Sequence, residues 1–342
     1  MTFRRCGYVG VATAAGLALW LAWRLGLSLV LEGALILTAC ACFLALAAAT
    51  RRVARRERLV YYHHEILVLS VVGLVTWLVG GPVLGHLDAT ALGLGAFLAW
   101  GRIGCLKAGC CHGRPARHGI TYGPEFAERG FTRHLIGVPL VPVQAIEAAL
   151  VAAIVVAGSL LVLDGQPAGT GIALYVGGYA VVRFALEFLR GDPLRPYWRG
   201  LSEAQWTSVA VAALVAVGAV AGVVPQHWWD EAAAALLAVV AAALALSTRP
   251  PGILDPRHVQ EVVRAVAVAR LEPLEVVTTS AGVQLSCGRT EDQLHVAISA
   301  DGAPLSASEA GALAHLIGGL RSHAEVHFVA GAGGVWHVLL RG

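Results

Sequence analysis

Three ionisable side chains stand out in an otherwise apolar stretch. Arg183, Glu187 and Arg190, in the string Arg-Phe-Ala-Leu-Glu-Phe-Leu-Arg, are spaced i, i+4 and i+7. On a helix this spacing puts them on one face. A charge at bilayer depth costs about 2.5–3.5 kcal/mol on insertion scales, so such residues mark function by default. Two readings stand. The set is either an internally paired Arg–Glu–Arg lock for a helix bundle, or a polar pocket in which one arginine pairs with the glutamate and the other binds an anion.

A second group lies upstream. Gly101-Arg102-Ile103-Gly104-Cys105 leads into Lys107, Gly109, Cys110, Cys111, His112, Gly113 and Arg114. Glycines such as Gly104 and Gly113 permit close backbone approach and sharp turns, while Arg102 and Arg114 offer forked donors suited to a phosphate. Gln144 and Glu147 stand three apart, on one face of the next apolar helix. Tyr61-Tyr62-His63-His64-Glu65 opens another apolar segment. Its histidines are either interfacial anchors beside an aromatic belt or a base able to take a proton near neutral pH.

Cys105, Cys110, Cys111 and His112 also form a cluster of soft ligands, which makes a metal or thiol-redox site the alternative reading. The spacing C-x4-C-C-H is not a standard zinc pattern, and adjacent cysteines seldom both reach one tetrahedral ion. Small residues packing under the loop, or cysteines disulfide-linked on the outer side, is therefore the favoured account, and no metal or cofactor is expected. The seven cysteines do not resemble a secreted disulfide framework.

The elements that must position these residues are read from composition. Of 342 residues, 57% are apolar and 14% charged, with a mean hydropathy of +0.69. Ordinary soluble domains are about 45–50% apolar and about 25% charged, which excludes a wholly soluble protein. The net charge of +3 gives no ground for nucleic-acid binding. Eight apolar segments, roughly 8–30, 33–49, 59–80, 84–104, 140–163, 168–190, 205–224 and 231–247, are candidate spans. The first two are separated by Glu32 and Gly33, which predicts a tight hairpin there. The fold class expected is an all-α polytopic membrane bundle of seven or eight helices over 1–248, followed by a small soluble α+β domain over 253–342.

Arg249-Pro250-Pro251-Gly252 reads as the break between the two. Beyond it lie nine of the 22 acidic residues and six of the 13 histidines. The pattern predicts a helix over 256–270, strands over 274–279, 282–287 and 292–299, and a helix from the Ser306/Glu309 capping box to about 322. Segments 324–330 and 335–340 flank Gly331-Ala332-Gly333-Gly334 as a hairpin. His295, His327 and His337 fall on alternating strand positions, as surface residues do. If eight spans alternate, the N-terminus, the Arg51–Arg58 cluster, the 102–138 loop and the C-terminal domain share one side. Glu32, His86 and Asp88 fall on the other, and the positive-inside rule makes the basic side cytoplasmic.

The order Gly-Arg-Ile-Gly (101–104), Gly-x-x-x-Gly-Arg (109–114), Pro-Val-Gln-Ala-Ile-Glu (142–147) and Arg-Phe-x-x-Glu-Phe-x-Arg (183–190) resembles the bacterial prolipoprotein diacylglyceryl transferases over about residues 60–210. The resemblance implies a multi-pass protein of the bacterial plasma membrane. Its implied activity is transfer of the diacylglyceryl group of phosphatidylglycerol to the lipobox cysteine thiol of a prolipoprotein, with membrane lipid and the prolipoprotein as partners. It implies that Arg102 and Arg183 hold the phosphate, with Glu147 and Glu187 orienting them, and that His63 favours the substrate thiolate. Gln144, Gly104, Gly113, Arg114 and Arg190 fall in the implied substrate site. Cys105 stands where the family has asparagine, and Ile146 where it has tyrosine. The family works on the outer membrane face, opposite to the side that the charge count gives. A lipid-binding scaffold without turnover is the other class of function.

Overall fold

The computed structural model describes residues 2–54, 61–129, 131, 135–191, 197–247, 252–253, 255–269, 275–289, 293–301, 304–318 and 325–341. It divides into two compact units. One comprises Met1–His112, Pro142–Arg190 and Trp198–Leu246; the other comprises Gly113–Val141, Gly191–Tyr197 and Ser247–Gly342.

Eight helices make the first unit: α1 (Phe3–Arg24), α2 (Leu29–Ala54), α3 (Tyr61–Leu78), α4 (Val83–Ala108), α5 (Val143–Leu163), α6 (Thr170–Leu186), α7 (Glu203–Val220) and α8 (Trp228–Leu246). They follow the eight expected segments in order. Seven are long and apolar enough to cross a membrane. The exception is α3, whose first turns hold His63, His64 and Glu65. The chain is thus a mostly helical, multi-pass membrane protein.

Small residues set the helix spacing, as they do where lipid supplies no hydrophobic drive between helices. A Cβ on Gly93 of α4 would stand 2.9 Å from the Ala14 carbonyl oxygen of α1, and one on Gly95 would meet Val155 of α5 at 2.5 Å and Tyr175 of α6 at 2.7 Å. Behind these contacts the core holds Leu21, Leu92, Val151, Val155, Tyr175 and Tyr179.

The first hairpin does not turn at Glu32 and Gly33. The turn is at Gly26, which takes a left-handed φ of 68°, and α2 begins at Leu29. Glu32 is inside α2 and fully buried, with its Oε2 2.6 Å from His86 Nδ1 and its Oε1 accepting from the Thr90 hydroxyl. Gly26 bends the chain without steric cost, and the glutamate is satisfied within the bundle. Asp88 is likewise buried, accepting the backbone N–H groups of Gly169 and Ile172 at 2.7 and 2.8 Å. It anchors the start of α6, the helix that carries Arg183.

In the second unit, residues 113–141 carry strand β1 (Pro115–Ile120), bridged to Leu140, and a small core of Tyr122, Phe131, Leu135 and Leu140. Short strands β2 (Tyr197–Trp198) and β3 (Leu201–Ser202) precede α7, where Ser202 and Gln205 form a capping box. The C-terminal part has helix α9 (Pro256–Ala269), strands β4 (Val277–Thr278), β5 (Val283–Arg289) and β6 (Gln293–Ala300), helix α10 (Ala307–Gly318), and strands β7 (Glu325–Ala330) and β8 (Trp336–Arg341). The five strands form one antiparallel sheet in the order β4-β5-β6-β8-β7. Val262 and Val266 of α9 and Leu313 and Ile317 of α10 share a core with Leu285, Val296, Ile298 and Val338. Ser306 and Glu309 cap α10 reciprocally, as expected. Residues 248–251, most of the expected break, lie outside the described residues, as do 55–58 of the arginine cluster, 270–274 and 319–324.

Candidate functional site

Arg102 stands near the C-terminal end of α4 and Glu147 in the second turn of α5. Arg102 Nε lies 3.0 Å from Glu147 Oε2, with both side chains almost wholly buried. The other carboxylate oxygen, Oε1, accepts the Tyr179 hydroxyl of α6 at 3.0 Å. Three helices thus meet on one carboxylate. Low-dielectric surroundings strengthen both interactions and penalise the loss of either partner.

Along α6 the chain repeats every four residues. Tyr175, Tyr179 and Arg183 are buried on one face, and Glu187 continues the row one turn on. The Tyr175 and Tyr179 rings lie parallel, 6.2 Å apart. Arg183 donates to Glu187 from Nη1. Tyr179 lies within the fields of Glu147, Arg102 and Arg183 together, and so marks the centre of the polar site. From α3, the Tyr62 ring packs against Tyr179 at 5.5 Å while its hydroxyl pairs with Ser208 of α7 at 2.8 Å. Tyr61 reaches the Tyr175 hydroxyl at 2.7 Å.

The helix does not run through to Arg190. It ends at Leu186, residues 187–189 form a 3-10 turn, and Arg190 has extended backbone with ψ of 141°. Arg183 therefore stands on the last turn of the helix and Glu187 at its cap, whereas Arg190, also buried, lies past its end. Its charge acts on Cys111, as does that of Arg102. Arg102 and Arg183 are thus each held by a buried glutamate, Glu147 and Glu187 respectively.

The other sequence candidates are dispersed. His63 is exposed, with Nε2 3.2 Å from Glu203 Oε1, whereas His64 and Glu65 turn into the bundle and His64 packs against Phe43. Gln144 is buried and donates from Nε2 to the Cys110 carbonyl oxygen at 2.8 Å. Gly104 faces α1, where a Cβ would lie 3.1 Å from Phe3 and 3.3 Å from Cys6. Its role there is helix packing. Gly113 and Arg114 belong to the second unit, Gly113 buried and Arg114 exposed.

The cysteines gather. Sulfurs of Cys105, Cys110 and Cys111 all lie within 4.8 Å of one another. The Cys111 thiol, outside the helix, is held well below its ordinary pKa by hydrogen bonds from Cys105 and Cys110 and by the charges of Arg190 and Arg102. His112 is buried and lies outside this group.

Sequence reasoning passed over Tyr175, Tyr179 and Glu203, and named Tyr62 within the Tyr61–Glu65 string without giving it a role. The tyrosines of α6 were within reach, since they extend the Arg183–Glu187 spacing of four back by two turns. The partnership of Tyr62 with Ser208, and of His63 with Glu203, depends on how α3 and α7 pack and leaves no local signal.

Residues 60–221 match the family model described as prolipoprotein diacylglyceryl transferase. Among named proteins, phosphatidylglycerol–prolipoprotein diacylglyceryl transferase 2 of Clostridium perfringens (strain 13 / Type A) is 32% identical over 141 residues, covering 40% of this chain and 50% of that protein. The phosphatidylglycerol–prolipoprotein diacylglyceryl transferase of Clostridium tetani (strain Massachusetts / E88) is 34% identical over 113 residues, 32% of this chain and 43% of its own. That of Neisseria gonorrhoeae (strain NCCP11945) is 45% identical over 65 residues, 18% and 23% respectively. The chain spans half or less of the length of these relatives. The matched segment, 60–221, holds α3 to α7 and both buried arginine–glutamate pairs, and over this segment the chain is similar to the prolipoprotein diacylglyceryl transferases.

Proposed function

We propose that this protein transfers the diacylglyceryl group of phosphatidylglycerol to the lipobox cysteine thiol of a prolipoprotein. The observation that carries the reading is that Arg102 and Arg183, each paired with a buried glutamate, both act on Tyr179 inside the segment that matches the transferase family.

In this account Arg102 and Arg183 bind the headgroup phosphate, and Glu147 and Glu187 fix the guanidinium planes in advance. The substrate sulfur, as thiolate, attacks the glyceryl carbon attached to phosphate. A C–S thioether bond forms, the C–O bond breaks, and glycerol phosphate leaves with the bonding electron pair on oxygen. Negative charge grows on that oxygen in the transition state, where preorganised donors in a dry site have most effect. Tyr179 holds Glu147 on the side opposite Arg102, so the carboxylate cannot swing to follow the arginine toward solvent. His63, backed by Glu203, is the proposed acceptor of the thiol proton. The thiolate is the nucleophilic form.

The chain would act in the bacterial plasma membrane, with residues 253–342 as an appended soluble domain. Complementation of a strain depleted of its own diacylglyceryl transferase tests the reading. Restored lipoprotein acylation that is lost in Arg102→Ala and Arg183→Ala supports it. Failure of the membrane-inserted unmutated protein to restore acylation overturns it and favours a lipid-binding scaffold.

A further inference from the structure

We propose that Cys105, Cys110 and Cys111 form a binding site for one thiophilic metal ion of the Zn2+ or Cu+ class. The proposal does not depend on the transferase reading.

Three sulfurs gathered within 4.8 Å are the first observation. On a tetrahedral ion with metal–sulfur bonds of about 2.3 Å, sulfurs stand about 3.8 Å apart. Closing the triad on an ion thus takes movements of roughly an ångström, within the reach of side-chain torsions. Three soft donors select d10 ions such as Zn2+ and Cu+ over Mg2+ or Ca2+, which require oxygen.

The backbone is the second observation. α4 ends at Ala108, and Gly109 caps it with a left-handed φ of 76°. Cys111 then takes φ of 55°, one of only two non-glycine residues with positive φ among the described residues. Adjacent residues of an extended chain point to opposite sides, which is why a Cys-Cys pair seldom serves one ion. The turn at Cys111 removes that alternation and brings both sulfurs back toward Cys105, on the last turns of α4. A left-handed non-glycine conformation is strained and persists where surrounding structure imposes it. Here the surrounding structure includes Gln144 of α5, whose Nε2 holds the Cys110 carbonyl at 2.8 Å.

Charge is consistent with this class of ligand. Three thiolates around a divalent ion leave one net negative charge, and the positive charges of Arg102 and Arg190 both act at Cys111. The ion would therefore sit beside the arginine site without adding to its positive charge.

The test uses the full chain purified in detergent under reducing, oxygen-free conditions, incubated separately with Zn2+ alone and Cu+ alone, and desalted before elemental analysis. The proposal expects about one equivalent of one of these ions to be retained. It also expects metal to slow maleimide labelling of Cys105, Cys110 and Cys111 more than tenfold, with Cys40 and Cys42 unaffected. Retention of one ion but not the other supports the site and identifies its ion. Cys110→Ser and Cys111→Ser should each lose the metal, while the Cys40→Ser/Cys42→Ser double variant keeps it. Equal metal retention by the unmutated protein and by Cys110→Ser/Cys111→Ser overturns the proposal. So does unchanged labelling of the triad in the presence of both ions, a measurement made on the unmutated chain and independent of whether any variant folds. Neither readout involves diacylglyceryl transfer, so failure here is distinct from failure of the proposed activity.

Discussion

At the residue scale the account turns on Glu147, a carboxylate shared by Arg102 and Tyr179. Removing the Tyr179 hydroxyl leaves one carboxylate oxygen short of a donor in a buried site, a loss of about 1–2 kcal/mol. Tyr179→Phe is therefore expected to lower transfer about tenfold, mostly in kcat, with little change in thermal stability. Steady-state transfer from phosphatidylglycerol vesicles to a lipobox peptide reads this. Arg102→Ala should be more severe, since an unpaired buried carboxylate costs about 3–5 kcal/mol; Arg102→Ala/Glu147→Ala should recover stability, measured by thermal unfolding in detergent, without recovering activity. Arg102, Glu147, Arg183 and Glu187 were all visible in the sequence, because charge is scarce in an apolar chain and each such residue demands a reason. The end of the helix before Arg190 was not visible: a spacing of i+7 on one helix presumes that the helix lasts, and this one ends at Leu186, with a 3-10 turn leading to Arg190.

At the element scale the site is held by close helix contacts and by polar anchors at the far end of the bundle. Gly95 leaves no space for a side chain between Val155 and Tyr175. Gly95→Val should force α4 from α5 and α6, destabilise by about 1–3 kcal/mol and disturb the tyrosine row; the expected result is a lowered melting temperature together with lost transfer. In the C-terminal sheet, His295 and His337 are paired at 2.9 Å. Burial, and then the neighbouring His337, push the His295 pKa down from its ordinary value of 6.5. The folded state thus resists protonation that the unfolded chain accepts. This contribution to stability is complete above about pH 6.5 and declines as pH falls below it. The protection of β6 and β8 amides, relative to their intrinsic exchange rates at each pH, should fall between pH 7.5 and 5.5, and His295→Gln should flatten that dependence. The strand pattern of this sheet was legible from two-residue alternation. The histidine contact was not, because it joins diagonal positions of neighbouring strands whose register the sequence does not state.

At the scale of the whole molecule, eight apolar segments became eight helices in the expected order, since apolar length and the need to satisfy every backbone group in lipid leave little alternative. Turns were less legible. Glu32 looked like a loop residue only because its partner His86 is 54 positions away. The same limit hid the convergence of α3, α4, α5 and α6 around Tyr179. The central claim is that this convergence transfers a diacylglyceryl group. Its most direct test is reconstitution of the full chain in phosphatidylglycerol vesicles with a synthetic lipobox peptide, followed by mass spectrometry of the peptide. The account predicts a thioether-linked diacylglyceryl adduct on the cysteine and release of glycerol phosphate, with Arg102→Ala and Arg183→Ala reduced more than about a hundredfold. An unmodified peptide after incubation with folded, inserted protein would contradict it.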